Sequence, residues 1–219
     1  MSQRPTLDYE RPFWQAGVQR VAGVDEAGRG AWAGPVVAGA AVLPDSVEIA
    51  EALLEVNDSK QLSAKQRERL YDQIIAHAAD WATGSASAAE IDAVGILPAT
   101  RLAMQRAIAG LTCQPQQLLI DHVRLPALPV AQQSITRGDS LVLSIAAASI
   151  LAKVTRDRLM ADAEQTWPGY GFARHKGYGT PEHRRQLHVL GPCAIHRTSF
   201  QPVRGWQLAL FPGVAESVS

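Results

Sequence analysis

A chain of 219 residues with 47% hydrophobic and 19% charged content has the apolar material for a core and too few charges for a disordered polyelectrolyte. No apolar run reaches the roughly 18–20 residues of a membrane span, and Arg4 and Arg11 have no apolar stretch behind them, so neither a membrane protein nor a secretory leader is expected. The 21 basic residues balance the 21 acidic ones, which taken alone argues mildly against a nucleic-acid partner.

Val21 to Asp25 reads as a short buried strand, and the Val, Ala and Gly run from Pro35 to Leu43 as a second, packed on both faces. Gly28, Gly30 and Gly34 in the link between them permit tight backbone geometry. Ser63 to Ala82 is predicted to be a helix: Ser63 and Gln66 make a capping box, and Leu70, Ile74, Ala78 and Trp81 recur at helical spacing. Ser87 and Glu90 make a second box, opening a helix predicted to break near Pro98 and to resume as far as Ala109, with Gly110 as its stop. Gln117 to Asp121 is a strand ending in an acid, and Gln132 to Thr136 a further one. Ser140 to Gln165 is the longest helix, and its Ala146-Ala147-Ala148 stretch admits a close neighbour. Thr180 with Pro181 opens a last helix that Gly191 ends. This order predicts an α/β or α+β fold with a mixed sheet.

Charge is unevenly placed. Between Thr166 and Gly205 six Lys or Arg (Arg174, Lys176, Arg184, Arg185, Arg197, Arg204) face one acid, Glu182, and four of the six His lie there too. A basic C-terminal lobe beside an acidic remainder suits a phosphate backbone at one end and metal at the other. Cys113 and Cys193 make neither a disulfide framework nor a metal-binding pair and read as structural thiols, which fits a reducing cytoplasm.

The chemistry is expected in acids placed oddly for structure. Asp25 and Glu26 end a buried strand side by side, Asp121 ends another, and Asp139 directly precedes the long helix. Such strand ends are where functional groups converge in α/β folds. Carboxylates brought together repel unless cations neutralise them, which hard divalent ions do. Each acid also has a plainer reading: Asp139 as a helix cap, Asp25 and Glu26 as a solvated strand end, Asp121 as a loop acid. Spacing alone does not establish that the four meet. Gly28-Arg29-Gly30 follows the first pair, and glycines there let backbone N–H groups approach a hydroxyl or anion, although a simple hairpin turn has the same composition.

The motifs together resemble the type 2 ribonuclease H family, and bacterial ribonuclease HII in particular. Val24-Asp25-Glu26-Ala27-Gly28-Arg29-Gly30 with Ala33-Gly34-Pro35-Val36-Val37 is similar to its opening motif. Asn57-Asp58-Ser59-Lys60, Leu119-Ile120-Asp121, Gly138-Asp139-Ser140 with Ser144 to Asp157, His175 to Thr180, and Gly191 to Arg197 resemble later ones in order. The resemblance implies a ribonuclease H-like mixed five-stranded sheet flanked by helices, with a C-terminal helical lobe. Residues 1–18 would be a tail, 19–205 the catalytic domain with its basic lobe at about 166–205, and 206–219 a second tail. It further implies an endonuclease acting on RNA–DNA hybrids and on DNA containing ribonucleotides, with Asp25, Glu26, Asp121 and Asp139 as catalytic acids holding two Mg²⁺ or Mn²⁺ ions. Gly28, Arg29 and Gly30 would contact the ribose 2′-hydroxyl, and Tyr178 would stack on the neighbouring deoxyribose. Lys60, Lys153 and Arg156 would contact phosphate or support the site. The chain departs from the family pattern at Ala31 and Trp32, at His122-Val123 where Gly-Asn is common, and at Arg137. Trp32 could stack on a base or pack internally; His122 is expected at the surface.

Beyond this region Gln207-Leu208-Ala209-Leu210-Phe211 resembles the peptide by which bacterial repair proteins dock on the sliding clamp, with Gln207, Leu208, Leu210 and Phe211 as anchors. The same segment could pack on the protein's own core. A monomer is expected.

Overall fold

The computed structural model describes residues 4–57 and 59–210, with side chains as far as Trp206. The apolar segments Val21–Ala27 (β1) and Val36–Val42 (β2) pair antiparallel, Ala22 opposite Val42 and Ala27 opposite Val37. Gln117–Asp121 (β4) runs parallel to β1, and Ala131–Ile135 (β5) parallel to β4. With Asp80–Ala86 (β3) they form one five-stranded sheet in the order β3-β2-β1-β4-β5. The helices are α1 (Arg11–Gln15), α2 (Val47–Ala52), α3 (Ala64–His77), α4 (Ala88–Val94), α5 (Ile96–Ala109), α6 (Leu143–Thr166), α7 (Phe172–His175), α8 (Pro181–Leu190) and α9 (Val203–Leu210). None is long and apolar enough to cross a membrane.

Two compact units divide the described residues. Of these, the first draws on the residues up to Ala27, on Val37–Ser85 and on Thr100–Thr155; the second on Gly28–Val36, Ala86–Ala99 and the described residues from Arg156 to Leu210. In the first, Val21, Ala41 and Leu119 of the sheet, Leu70 and Ile74 of α3, and Ile145 to Leu151 of α6 share one core. Burying each such Leu or Ile contributes roughly 1.5–3 kcal/mol. Two strand glycines explain why α6 lies so close. A Cβ at Gly23 would meet the Ser144 backbone, and one at Gly39 the Ala148 carbonyl. Main chain on main chain is possible only with glycine on one side and the alanine stretch on the other.

Four expectations about local structure are corrected. The helix predicted over Ser63 to Ala82 ends at His77, because Ala78 turns extended (ψ 142). Trp81 then belongs to β3, where the Asp80 carboxylate accepts from Trp81 N, Thr112 Oγ1 and Cys113 N, each at 2.9 Å. An intermediate stretch of Ala, Asp and Trp fits either period, and these hydrogen bonds decide it. The break expected near Pro98 falls at Gly95 (φ 85), which caps α4. Pro98 sits in the first turn of α5, where its missing N–H costs nothing. Residues 5–18, expected as a tail, are part of the first unit's packing: Leu7 and Trp14 are buried, and Thr6 bridges to Val142. The second unit takes in more than the expected lobe at 166–205, since α4 and the Gly28–Val36 turn belong to it. Both predicted capping boxes, at Ser63 and Ser87, are present.

Candidate active site

The carboxylates belong to the first unit. Parallel pairing sets Val24 beside Ile120, so Asp25 and Asp121 follow as neighbours at the same end of β1 and β4. Asp121 Oδ1 accepts from Gly138 N at 2.7 Å, which ties the loop carrying Asp139 to the end of β4. Asp25 and Asp139 are buried, Glu26 and Asp121 half-buried. Burial, followed by the charges of Glu26 and Asp121, pushes the Asp25 carboxyl well above its ordinary range. The first unit therefore brings Asp25, Glu26 and Asp121 within reach of one another's charge.

Two supporting hydroxyls, those of Ser59 and Ser149, come from motifs whose acids and lysines, but not whose serines, sequence reasoning singled out. Ser149, on the buried face of α6 in its second turn, hydrogen-bonds the Asp25 carboxyl, and Ser59 Oγ lies 3.0 Å from Ser149 Oγ. Lys60 Nζ stands 3.7 Å from Asp139 Oδ2. Lys153 lies one helical turn beyond Ser149 and is half-buried. Asp139 does not cap the long helix: it lies in the short turn Gly138–Ser140, and α6 starts at Leu143. Glu10, fully buried, performs that task, its Oε1 accepting from Ser144 N at 2.9 Å. Burial raises the Glu10 pKa. No pattern within the α6 sequence pointed to a partner 134 residues away.

Among the described residues no three His, Cys, Asp or Glu side chains already surround one point as a metal cage. Mg²⁺ does not require one, since waters and substrate phosphates complete its octahedron. An all-oxygen donor set in which Asp25 is pressed by like charges fits a hard divalent cation, whose binding relieves that repulsion.

The Gly28-Arg29-Gly30 turn and Tyr178 belong to the second unit. Two fully buried arginines organise it. Arg156 donates to the carbonyls of Pro35 (2.9 Å), Lys176 (2.9 Å) and Ala33 (3.1 Å), and its guanidinium lies 5.1 Å from the centre of the Tyr178 ring. Of its two expected roles, support of the site is the one this placement allows, because a side chain at 0% exposure does not reach a phosphate. Arg197 donates to the carbonyls of Gly28, Arg29 and Gly34. Counting it toward a basic surface therefore overstated the lobe's outward charge. Trp32 packs: its ring lies 5.4 Å from that of His183, under Arg184. His122 is exposed, with a left-handed backbone (φ 53).

Histidines fix the Tyr178 segment. His183 Nδ1 faces the Tyr178 carbonyl at 3.0 Å and so carries its proton there, leaving Nε2 to accept from His196 Nε2 at 3.0 Å. His196 Nδ1 then accepts from Cys193 N. This chain of bonds closes only when both rings are neutral, and burial lowers both pKa values to about 4. Unfolded, each ring takes a proton near 6.5. Between those values the unfolded chain binds more protons, so stability is fully present above about pH 6.5 and is lost as pH falls towards 4. The wild type's advantage in unfolding free energy over His196→Gln is expected to shrink across that window, by on the order of a few kcal/mol. A constant advantage from pH 7 to 4 would contradict the neutral pair.

The ribonuclease HII family model matches residues 22–203. A ribonuclease HII from Chloroflexus aurantiacus is 55% identical over 200 residues, 91% of this chain and 94% of the relative. The ribonuclease H2 structure from Pyrococcus horikoshii superposes with a TM-score of 0.73 at 28% identity, covering 87% of this chain and 98% of that one. Bst-RNase HIII, solved in complex with Mn²⁺, is 20% identical with a TM-score of 0.64, covering 91% and 72%. The family model, the relative and the fold agree: the chain belongs to the ribonuclease HII family, nucleases that cleave the RNA of RNA–DNA hybrids.

Proposed function

We propose that the chain, besides cutting the RNA strand of hybrids, nicks duplex DNA on the 5′ side of an embedded ribonucleotide, leaving 5′-phosphate and 3′-hydroxyl ends. Its role would be ribonucleotide removal from DNA in the cytoplasm, and a monomer suffices. The observation that carries this reading is the pairing of Asp25 and Asp121 on adjacent parallel strands, with Asp139 tied to Asp121 through Gly138. Asp25, Glu26 and Asp121 would hold Mg²⁺ or Mn²⁺, with Asp139 helping to place a second ion or its water. Two such ions in the working complex would supply an activated water and charge stabilisation at the leaving oxygen. Ser149 and Ser59 hold the Asp25 carboxyl in place. Lys60 offsets the charge of Asp139.

The second unit reads the substrate in this proposal. Amides of the Gly28-Arg29-Gly30 turn meet the 2′-hydroxyl, the group that distinguishes RNA from DNA. Tyr178, backed by Arg156, stacks on the next deoxyribose. Exposed Arg184, Arg185 and His188 of α8 line a groove of about 600 Å³ with Trp206 and give the duplex backbone a basic surface. The test is product mapping on a duplex bearing one ribonucleotide, with Mg²⁺ or Mn²⁺. A nick 5′ to the ribonucleotide is expected; cutting only of continuous RNA would confine the chain to hybrids. Tyr178→Ala is expected to reduce single-ribonucleotide nicking about tenfold more than cleavage of a long hybrid, roughly the worth of one stacking contact. Equal losses on the two substrates would remove the junction-sensing role.

Gln207, Leu208 and Leu210 lie on α9, but their side chains and Phe211 are outside the described residues. We retain clamp docking as a proposal on the motif alone. A chain cut after Trp206 should lose affinity for the clamp, and equal binding by both forms would exclude it.

A further inference from the structure

Arg197 is fully buried although arginine is among the costliest residues to place inside a protein. What it holds explains its position. Nη2 donates to Gly28 O at 2.7 Å, Nη1 to Arg29 O at 2.8 Å and Nε to Gly34 O at 3.0 Å, while its own backbone N–H donates to Trp32 O at 2.7 Å. One side chain thus takes three carbonyls of a single turn. Its own segment is anchored in the same unit: the Asp92 carboxylate on α4 accepts from Thr198 N and Oγ1 at 2.8 Å and from Ser199 N and Oγ at 3.0 and 2.6 Å.

Peptide planarity turns this grip into a direction. The carbonyl of Gly28 shares its plane with the amide of Arg29, and the carbonyl of Arg29 with the amide of Gly30; in a trans peptide the two groups point opposite ways. With both carbonyls drawn inward onto the guanidinium, the Arg29 and Gly30 amides point away from it. Gly30 is exposed, and a Cβ built there meets nothing within 4 Å. The turn is therefore accessible from outside at Gly30.

We propose that Arg197 is a positioning residue that aims the Arg29 and Gly30 amides, and that this aim sets the preference for a ribose over a deoxyribose in the duplex. The proposal rests on the reading that this turn meets the 2′-hydroxyl. Arg197 itself touches no substrate. A lysine in its place has one compact ammonium and cannot take three carbonyls in a planar fork.

The test is binding, in Ca²⁺ to suppress cleavage, of a duplex with one ribonucleotide and of the same duplex made wholly of deoxynucleotides. Wild type is expected to prefer the ribonucleotide duplex. Arg197→Lys is expected to lose that preference at least tenfold while its affinity for the all-deoxy duplex stays within about twofold, because backbone contacts dominate there. A residue that merely supports the fold would weaken both duplexes together, and an unchanged preference ratio overturns the proposal. Wild type without any preference would instead sink the reading of the turn. Should Arg197→Lys fail to fold by circular dichroism, Asp92→Asn decides: it leaves Arg197 and the residues of the turn unsubstituted but loosens the Thr198–Ser199 anchor that holds the Arg197 segment in place. A preference reduced at least threefold supports the proposal, and a full preference overturns it.

Discussion

Asp25→Asn is expected to abolish nicking, by on the order of a thousandfold or more, while raising the thermal midpoint of the metal-free protein. The two effects share one cause. Asp25 is buried against Glu26 and Asp121, and its carboxyl resists ionisation in that company. Ionising Asp25 costs more in the folded chain than in the unfolded one, and a neutral amide removes that conflict. The same substitution would remove a carboxylate oxygen from the proposed divalent site, and the charge stabilisation that such ions supply is worth several kcal/mol of barrier. Adding Mg²⁺ or Mn²⁺ should therefore raise the midpoint of wild type more than that of the variant. Differential scanning calorimetry with and without metal, beside the nicking assay, checks both. Loss of activity together with a lower metal-free midpoint would mean that Asp25 serves the fold, and the metal reading would fail.

The second large effect separates two glycines two residues apart. Gly28 has φ 93, and a Cβ there would run into the Arg156 side chain. Gly28→Ala carries the left-handed penalty of about 1–2 kcal/mol and an overpacking cost of about 1–3 kcal/mol. The second unit should be destabilised by about 2–5 kcal/mol. Gly30 has neither constraint: its φ is ordinary and its surroundings are open. Gly30→Ala should leave stability within about 0.5 kcal/mol yet reduce cleavage at a single ribonucleotide by about 10- to 100-fold, the worth of a blocked hydrogen bond in a closed site. Urea melts and initial rates for the two variants decide the matter. A fully active, stable Gly30→Ala would mean that no substrate group comes close to that position.

Much of this was legible from local chemistry. The strands carrying Asp25 and Asp121 (the first running two residues past the predicted end, to Ala27), both capping boxes and the helix opened by Thr180 and Pro181 each carry their signal within a few residues. What was illegible depends on partners distant in sequence. Glu10 gives no sign in its own segment that it will cap α6. Ser59 and Ser149, 90 residues apart, look like ordinary polar residues until the fold sets their hydroxyls together. Arg197 looked like surface charge because composition counts charges without showing where they point. His122 gave a usable hint: glycine is common at that position in the family, and its φ of 53 supplies the reason.

The seam where Gly23 and Gly39 meet α6 has a consequence for variation. Most tight spots in a protein can be relieved by trimming the opposing side chain, but here the obstacle at both positions is main chain. No second-site substitution can carve out room for a bulkier residue; only displacement of the whole helix would do so, and that would carry Ser149 away from Asp25. In a saturation screen these two sites should tolerate no replacement and yield no compensating partners, although neither lies among the acids of the proposed site.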